Sequence, residues 1–133
     1  MNTFERITEW NIERELAEFS LRREVKMLAE ELFEMCGMDR ENAKQASEVF
    51  VRNNVDTDAP VDLDAVIDAA GDLIFIATGT IMKAAKQAGV DITPHQVMEK
   101  ICDHNDKKGS KKDADGKIIK DVNFVEPTHL GNN

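Results

Sequence analysis

The stretch Asp62-Leu63-Asp64-Ala65-Val66-Ile67-Asp68-Ala69-Ala70-Gly71-Asp72-Leu73-Ile74-Phe75-Ile76-Ala77-Thr78-Gly79 decides the fold. Leu63, Ile67, Ala70, Ile74 and Ala77 recur at helical spacing along one side, and Val66, Leu73 and Ile76 widen that side. The pattern predicts one apolar helix from Asp62 or Leu63 to about Gln87, ended by Gly89. On the remaining side Asp64, Asp68 and Asp72 repeat at i, i+4 and i+8, with Gly71, Phe75, Thr78 and Gly79 beside them. Asp62 or Asp64 reads as a cap at the helix start, whereas Asp72 is too deep in the helix to cap it. It stands in the most apolar run of the chain, where a carboxylate buried without a partner is costly. Stacked like charges also repel. Either a lysine or arginine, sparse in this acidic body, or a divalent cation answers that charge. Oxygen ligands without His or thiolate point to Mg²⁺ or Mn²⁺.

Helical periodicity continues on both sides of this stretch. Upstream, residues about 4–19 carry Phe4, Ile7, Trp10, Leu16 and Phe19. Ser20 reads as an N-cap, after which Leu21, Val25, Leu28, Leu32 and Met35 recur to Gly37. A shorter helix over about 41–53 bears Ala43, Ala46, Val49 and Phe50, and residues 56–60 form a connection. Downstream, Thr93 as cap and Pro94 at the first helical position open a helix over about 94–103. Beyond it the chain turns polar and lysine-rich, with a short extended arm over Lys117–Val125. The expectation is all-α: one domain over 1–133, a helical bundle with its core at about 4–104 and a polar arm at about 105–133. A length of 133 residues suits one domain that folds without disulfide or structural metal. An aromatic content of 5% with no Tyr argues for helices over a sandwich or barrel.

The second helix carries acids of its own. Glu31 and Glu34 are three apart, hence neighbours, on one flank of the apolar stripe with Glu24, while Glu30 points further towards solvent. The same residues also read as a solvated acidic edge. Net charge is −9, all of it in residues 1–100, since residues 101–133 hold as many bases as acids. An acidic body disfavours direct binding of nucleic acid, whose phosphates it repels. No uncharged apolar run reaches the length of a membrane span, and the charged N-terminus does not read as a secretory signal. Cys36 and Cys102 have no CxxC or His partner, so reduced, half-buried thiols and a cytoplasmic location are expected.

These elements together resemble a known family. Glu30-Glu31-x-x-Glu34 on one helix, followed some thirty residues later by the aspartate-bearing Gly71-Asp72-Leu73-Ile74-Phe75 helix, resembles the MazG-like all-α nucleoside triphosphate pyrophosphohydrolases, which carry EExxE and then ExxD. The closer likeness is to their phosphoribosyl-ATP-pyrophosphohydrolase-like branch, which has Asp68-x-x-x-Asp72 followed by a Gly-Thr pair, here Gly79-Thr80. That branch shows Asn-x-x-Lys, here Asn105 to Lys108, then Gly-Lys-x-x-Lys, here Gly116 to Lys120, then a proline and an aliphatic residue, here Pro127 and Leu130. The similarity spans roughly residues 20–130. One position departs: Ala69 stands where strict ExxD has Glu, so either Asp68 supplies that ligand or the site holds fewer carboxylates.

The resemblance implies cleavage of a nucleoside triphosphate to the monophosphate and pyrophosphate with Mg²⁺ as cofactor. It implies Glu31, Glu34, Asp68 and Asp72 as metal ligands, with Glu30 and Glu31 as candidates for the catalytic carboxylate. Asn105, Lys108, Lys117 and Lys120 would contact substrate phosphate; Lys117 and Lys120 also read as a solvated tail. A phosphoribosyl-ATP pyrophosphohydrolase and a non-catalytic acidic interaction protein are the alternatives. Because the Asp62–Gln87 helix is apolar over more of its circumference than one small bundle covers, a homodimer or homotetramer is expected.

Overall fold

The computed structural model describes residues 1–16, 18–120 and 125–130. It is all-helical, with five helices over 64% of the described residues and no strand among them. In chain order these are α1 (Thr3–Glu13), α2 (Leu21–Met35), α3 (Arg40–Asn54), α4 (Leu63–Ala88) and α5 (Pro94–Asp106). The chain divides into two compact units, one of Met1–Ala17 with Leu63–Asn133 and the other of Glu18–Asp62.

The starts of four helices follow from side chains that satisfy their first amides. Asn2 and Glu5 form a reciprocal capping box on α1, and Thr93 with Gln96 does the same on α5, with Pro94 in the first turn. Ser20 accepts from the Arg23 amide, and Asp39 from the Asn42 amide. Gly89, at φ +71, terminates α4 in the left-handed region that favours glycine. α1 stops at Glu13, short of the expected 19. Glu15 adopts φ 56, and the Leu16 amide returns to the Asn11 carbonyl, which closes the helix before Leu16 and Phe19 can join it.

In the 18–62 unit α2 packs on α3. α3 contributes Ala43, Ser47 and Val51, all essentially inaccessible, and α2 contributes Lys26, Ala29 and Glu30. Phe33 meets Phe50 edge to face at 6.3 Å between centroids. The Lys26 ammonium reaches Glu48 Oε1 at 3.3 Å. This face is not the one that periodicity singled out: Leu28, Leu32 and Met35 are exposed. Small Ala and Ser side chains on α3 permit close approach to the Ala29 side of α2, and that approach decides which face is covered.

In the other unit α1 packs on α5, and the C-terminal part of α4 touches α5 through buried Ala85 and Val97. The rest of α4 is open: Ile67 is 72% exposed, Phe75 82% and Ile76 63%. α4 is, by length and composition, a helix able to cross a membrane, which the sequence reading did not anticipate because it required an uncharged run. Asp68 and Asp72 interrupt that run, and each acid at the middle of a span opposes insertion by roughly 3 kcal/mol. After α5 the chain makes a tight turn. Lys112 and Ile118 form an isolated antiparallel bridge, and Asp113 Oδ1 accepts from the amides of Asp115 and Lys117 at 2.9 and 3.0 Å. Gly116 takes φ 81 at the turn, and buried Ile118 anchors it. The expected arm over Lys117–Val125 lies partly outside the described residues.

Candidate functional site

The four expected metal ligands divide between the units. Glu31 and Glu34 lie on α2; Asp68 and Asp72 lie on α4. Helical geometry places each pair within about one turn, roughly 4.5 Å along the axis for Glu31 and Glu34 and roughly 6 Å for Asp68 and Asp72. Glu31 is exposed and Glu34 half-buried, while Asp68 and Asp72 are both exposed. Among the described residues the carboxylates of Asp68 and Asp72 take part in no hydrogen bond or ion pair. Asp72 is therefore not buried as expected and does not need a cation on that account: the apolar run around it is itself exposed, so its charge meets water. Glu30 is corrected in the opposite sense. It is only 9% exposed, on the α2 face that also buries Lys26 and Ala29, instead of pointing to solvent.

Each pair has the right donor chemistry for a hard cation but supplies only two of the roughly six oxygens that Mg²⁺ takes. No group of three or more His, Cys, Asp or Glu among the described residues is arranged to hold a metal ion. Each pair offers hard oxygen donors as a partial ligand set only, which water, substrate phosphates or further carboxylates would have to complete.

The expected phosphate-contacting residues belong to one unit; Asn105, Lys108 and Lys117 are held through their backbones and Lys120 through its side chain. The Asn105 carbonyl accepts from Trp10 Nε1 at 3.0 Å, so this indole is hydrogen-bonded and half-buried. The Arg14 guanidinium stacks over the Trp10 ring at 4.4 Å from its centroid. Arg14 also donates to the Lys108 carbonyl at 3.0 Å and the Gly109 carbonyl at 3.3 Å. The Arg6 guanidinium reaches Asp103 and Asp106 at 2.9 and 2.8 Å, and those two carboxylates hold it firmly protonated. Lys117 sits in the turn closed by Asp113, and the Lys120 ammonium pairs with Glu126. Lys120 therefore already has a carboxylate partner that any phosphate must displace. The roles of Trp10 and Arg14 had no signal in motif spacing, because their partners lie about 95 residues away in sequence.

Residues Pro127–Leu130 fold over Ile81, Ala84, Ala85, Ile92 and Val97 around an open, apolar hollow of about 510 Å³. Lys100 donates to the Thr128 carbonyl at 2.7 Å and pins this segment. His129 Nδ1 is buried with no hydrogen-bond partner among the described residues, and burial, with Lys100 and His104 nearby, pushes its pKa down. Cys36 is exposed and Cys102 buried, and both are free thiols. Neither a family model, nor a curated protein, nor a solved structure matches this chain.

Proposed function

We propose that the chain is a Mg²⁺-dependent nucleotide pyrophosphohydrolase of the MazG-like helical kind, cleaving a nucleoside triphosphate to the monophosphate and pyrophosphate. The observation that carries this reading is the pair of accessible aspartates one turn apart on α4, Asp68 and Asp72, neither engaged by a cation of the chain among the described residues. Paired carboxylates of this kind are ligands for a hard divalent ion, and Glu31 and Glu34 form a second such pair on α2. When bound, Mg²⁺ would offset the charge of the triphosphate and increase the acidity of a nearby water.

The chain's own residues then have distinct tasks. Glu31, exposed beside Glu34, is the carboxylate able to orient water and hold its proton during attack. Glu30 is buried and acts from behind, fixing the α2 face instead of meeting water. Lys108 and Lys117 supply charge-assisted hydrogen bonds to phosphate oxygens, and the Asn105 amide adds a neutral donor. Lys120 joins them on exchange of Glu126 for phosphate. The working form is cytoplasmic and contains at least two copies of the chain, with the exposed apolar side of α4 at the contact.

A pyrophosphate-release assay across the canonical ribo- and deoxyribonucleoside triphosphates, with Mg²⁺ and with EDTA, tests the reading. Turnover of at least one nucleotide with Mg²⁺ and none in EDTA is expected. Absence of pyrophosphate from every nucleotide, phosphoribosyl-ATP included, would overturn it in favour of a non-catalytic acidic helical protein.

A further inference from the structure

We propose that α1 is a clasp that sets the position of the phosphate-contacting segment 105–109, with Arg14 as its central positioning residue. This rests on the assignment of Asn105 and Lys108 to substrate binding. The geometry behind it is dense. At the end of α5 the His104 and Asn105 carbonyls are met by turn bonds from the Lys107 and Lys108 amides, at 3.2 and 3.0 Å, and the segment 107–112 carries four lysines that repel one another. Left to itself, such an end frays. Here Trp10 Nε1 holds the Asn105 carbonyl, and two nitrogens of Arg14 hold the consecutive carbonyls of Lys108 and Gly109.

A guanidinium bound to two successive carbonyls fixes the relative orientation of the two peptide planes that carry them, which a point-charge ammonium cannot do. Arg14 is itself fixed, since it stacks on Trp10, donates to the Trp10 carbonyl at 3.4 Å and leaves its side chain only 10% exposed. Two outer ties flank this centre. Arg6 bridges Asp103 and Asp106, and Lys112 Nζ donates to the Glu15 carbonyl at 3.1 Å. The Lys108 amide donates to the Asn105 carbonyl at 3.0 Å, so one turn just past α5 carries both residues. With their carbonyls held, the directions in which their side chains leave the backbone are held too. Arg14 thus acts on substrate binding through Lys108 without touching substrate.

The test compares Arg14→Ala, Arg14→Lys, Trp10→Phe, Lys108→Ala and the Arg14→Ala/Lys108→Ala double variant in the full chain. Two readouts are used: KM and kcat for the best nucleotide, and backbone hydrogen exchange without nucleotide. Arg14→Ala is expected to raise KM about tenfold with kcat nearly unchanged and to speed exchange at 107–112, leaving α2 and α3 as they were. The double variant should bind no worse than Lys108→Ala, because the two residues act in series. Arg14→Lys should fail to rescue KM, which separates a fixed peptide plane from simple attraction of phosphate by charge. Trp10→Phe, which keeps the ring and loses the donor, should shift KM and exchange in the same direction even if Arg14→Ala folds poorly. Unchanged exchange at 107–112 in both Arg14→Ala and Trp10→Phe would overturn the clasp. Faster exchange with unchanged KM, or full rescue by Lys, would overturn its positioning role. A wild-type chain that neither binds nor hydrolyses nucleotide would remove the functional reading and, with it, the role of the clasp in binding.

Discussion

Phe75 offers a direct measure of what covers α4. Its side chain is 82% exposed, on the side of α4 that carries Asp68 and Asp72 and at the edge of the apolar stripe. Burying a Phe side chain completely is worth about 1.5–3 kcal/mol, so the four-fifths still exposed here represents about 2 kcal/mol per copy. Replacing it by Ala forfeits most of this, and in a two-fold pair the loss is counted twice, about 3 kcal/mol in all. That corresponds to roughly a hundredfold in the dimer dissociation constant. The substitution leaves the isolated chain undamaged, since Ala is the better helix former and an exposed Phe contributes little to a lone protomer. Sedimentation equilibrium of the wild-type chain and Phe75→Ala over a range of concentrations is the assay. The wild type should be a dimer or tetramer and the variant should dissociate at concentrations where the wild type does not. A wild-type species at the 14.9 kDa chain mass at the highest soluble concentration would refute the reasoning. So would association that Phe75→Ala leaves untouched. Flotation of the chain with lipid vesicles would instead show that a bilayer covers α4.

Two further outcomes concern the cysteines and the segment 127–130. Cys36 should react with a thiol reagent at the rate of an exposed cysteine, while Cys102, buried and with its thiol pKa pushed up by desolvation, should react far more slowly until the chain is denatured; equal rates would contradict the packing of α5. His129 should titrate below the ordinary imidazole value of about 6.5. Because its pKa is lowered in the folded state, the docked segment 127–130 keeps its full stability above that value and loses stability as pH falls through the lowered one. Faster proteolysis near 125–130 at mildly acidic pH than at neutral pH, with His129→Gln blunting the difference, is the expected sign.

Helix positions were legible because their punctuation is local. Ser20, Thr93 with Pro94, and Gly89 each act on amides or dihedrals within four residues, and all three work as their chemistry dictates. Faces were less legible, because periodicity shows where apolar residues lie and not which neighbour meets them. On α2 the Leu28–Leu32–Met35 stripe stays exposed, since Ala43 and Ser47 of α3 admit the Ala29 side more closely. On α4 the broad apolar circumference was read correctly, yet the inference that Asp72 is buried within it was not, as that required a cover the chain's described residues do not supply. The carboxylate pairs themselves are simple consequences of spacing. The hold of Trp10 and Arg14 on residues 105–109 joins the two ends of the chain and leaves no trace in any local pattern.

The central claim is pyrophosphohydrolysis that depends on the α2 and α4 carboxylates, and ³¹P NMR of the reaction tests it most directly. With Mg²⁺ and a nucleoside triphosphate, the wild-type chain should yield monophosphate and pyrophosphate. Asp72→Asn and Glu34→Gln, both with unchanged helicity, should lose activity by at least about a hundredfold, the scale on which a single transition-state electrostatic contact is felt. Diphosphate and orthophosphate as products, or full pyrophosphate release by either variant, would contradict the account.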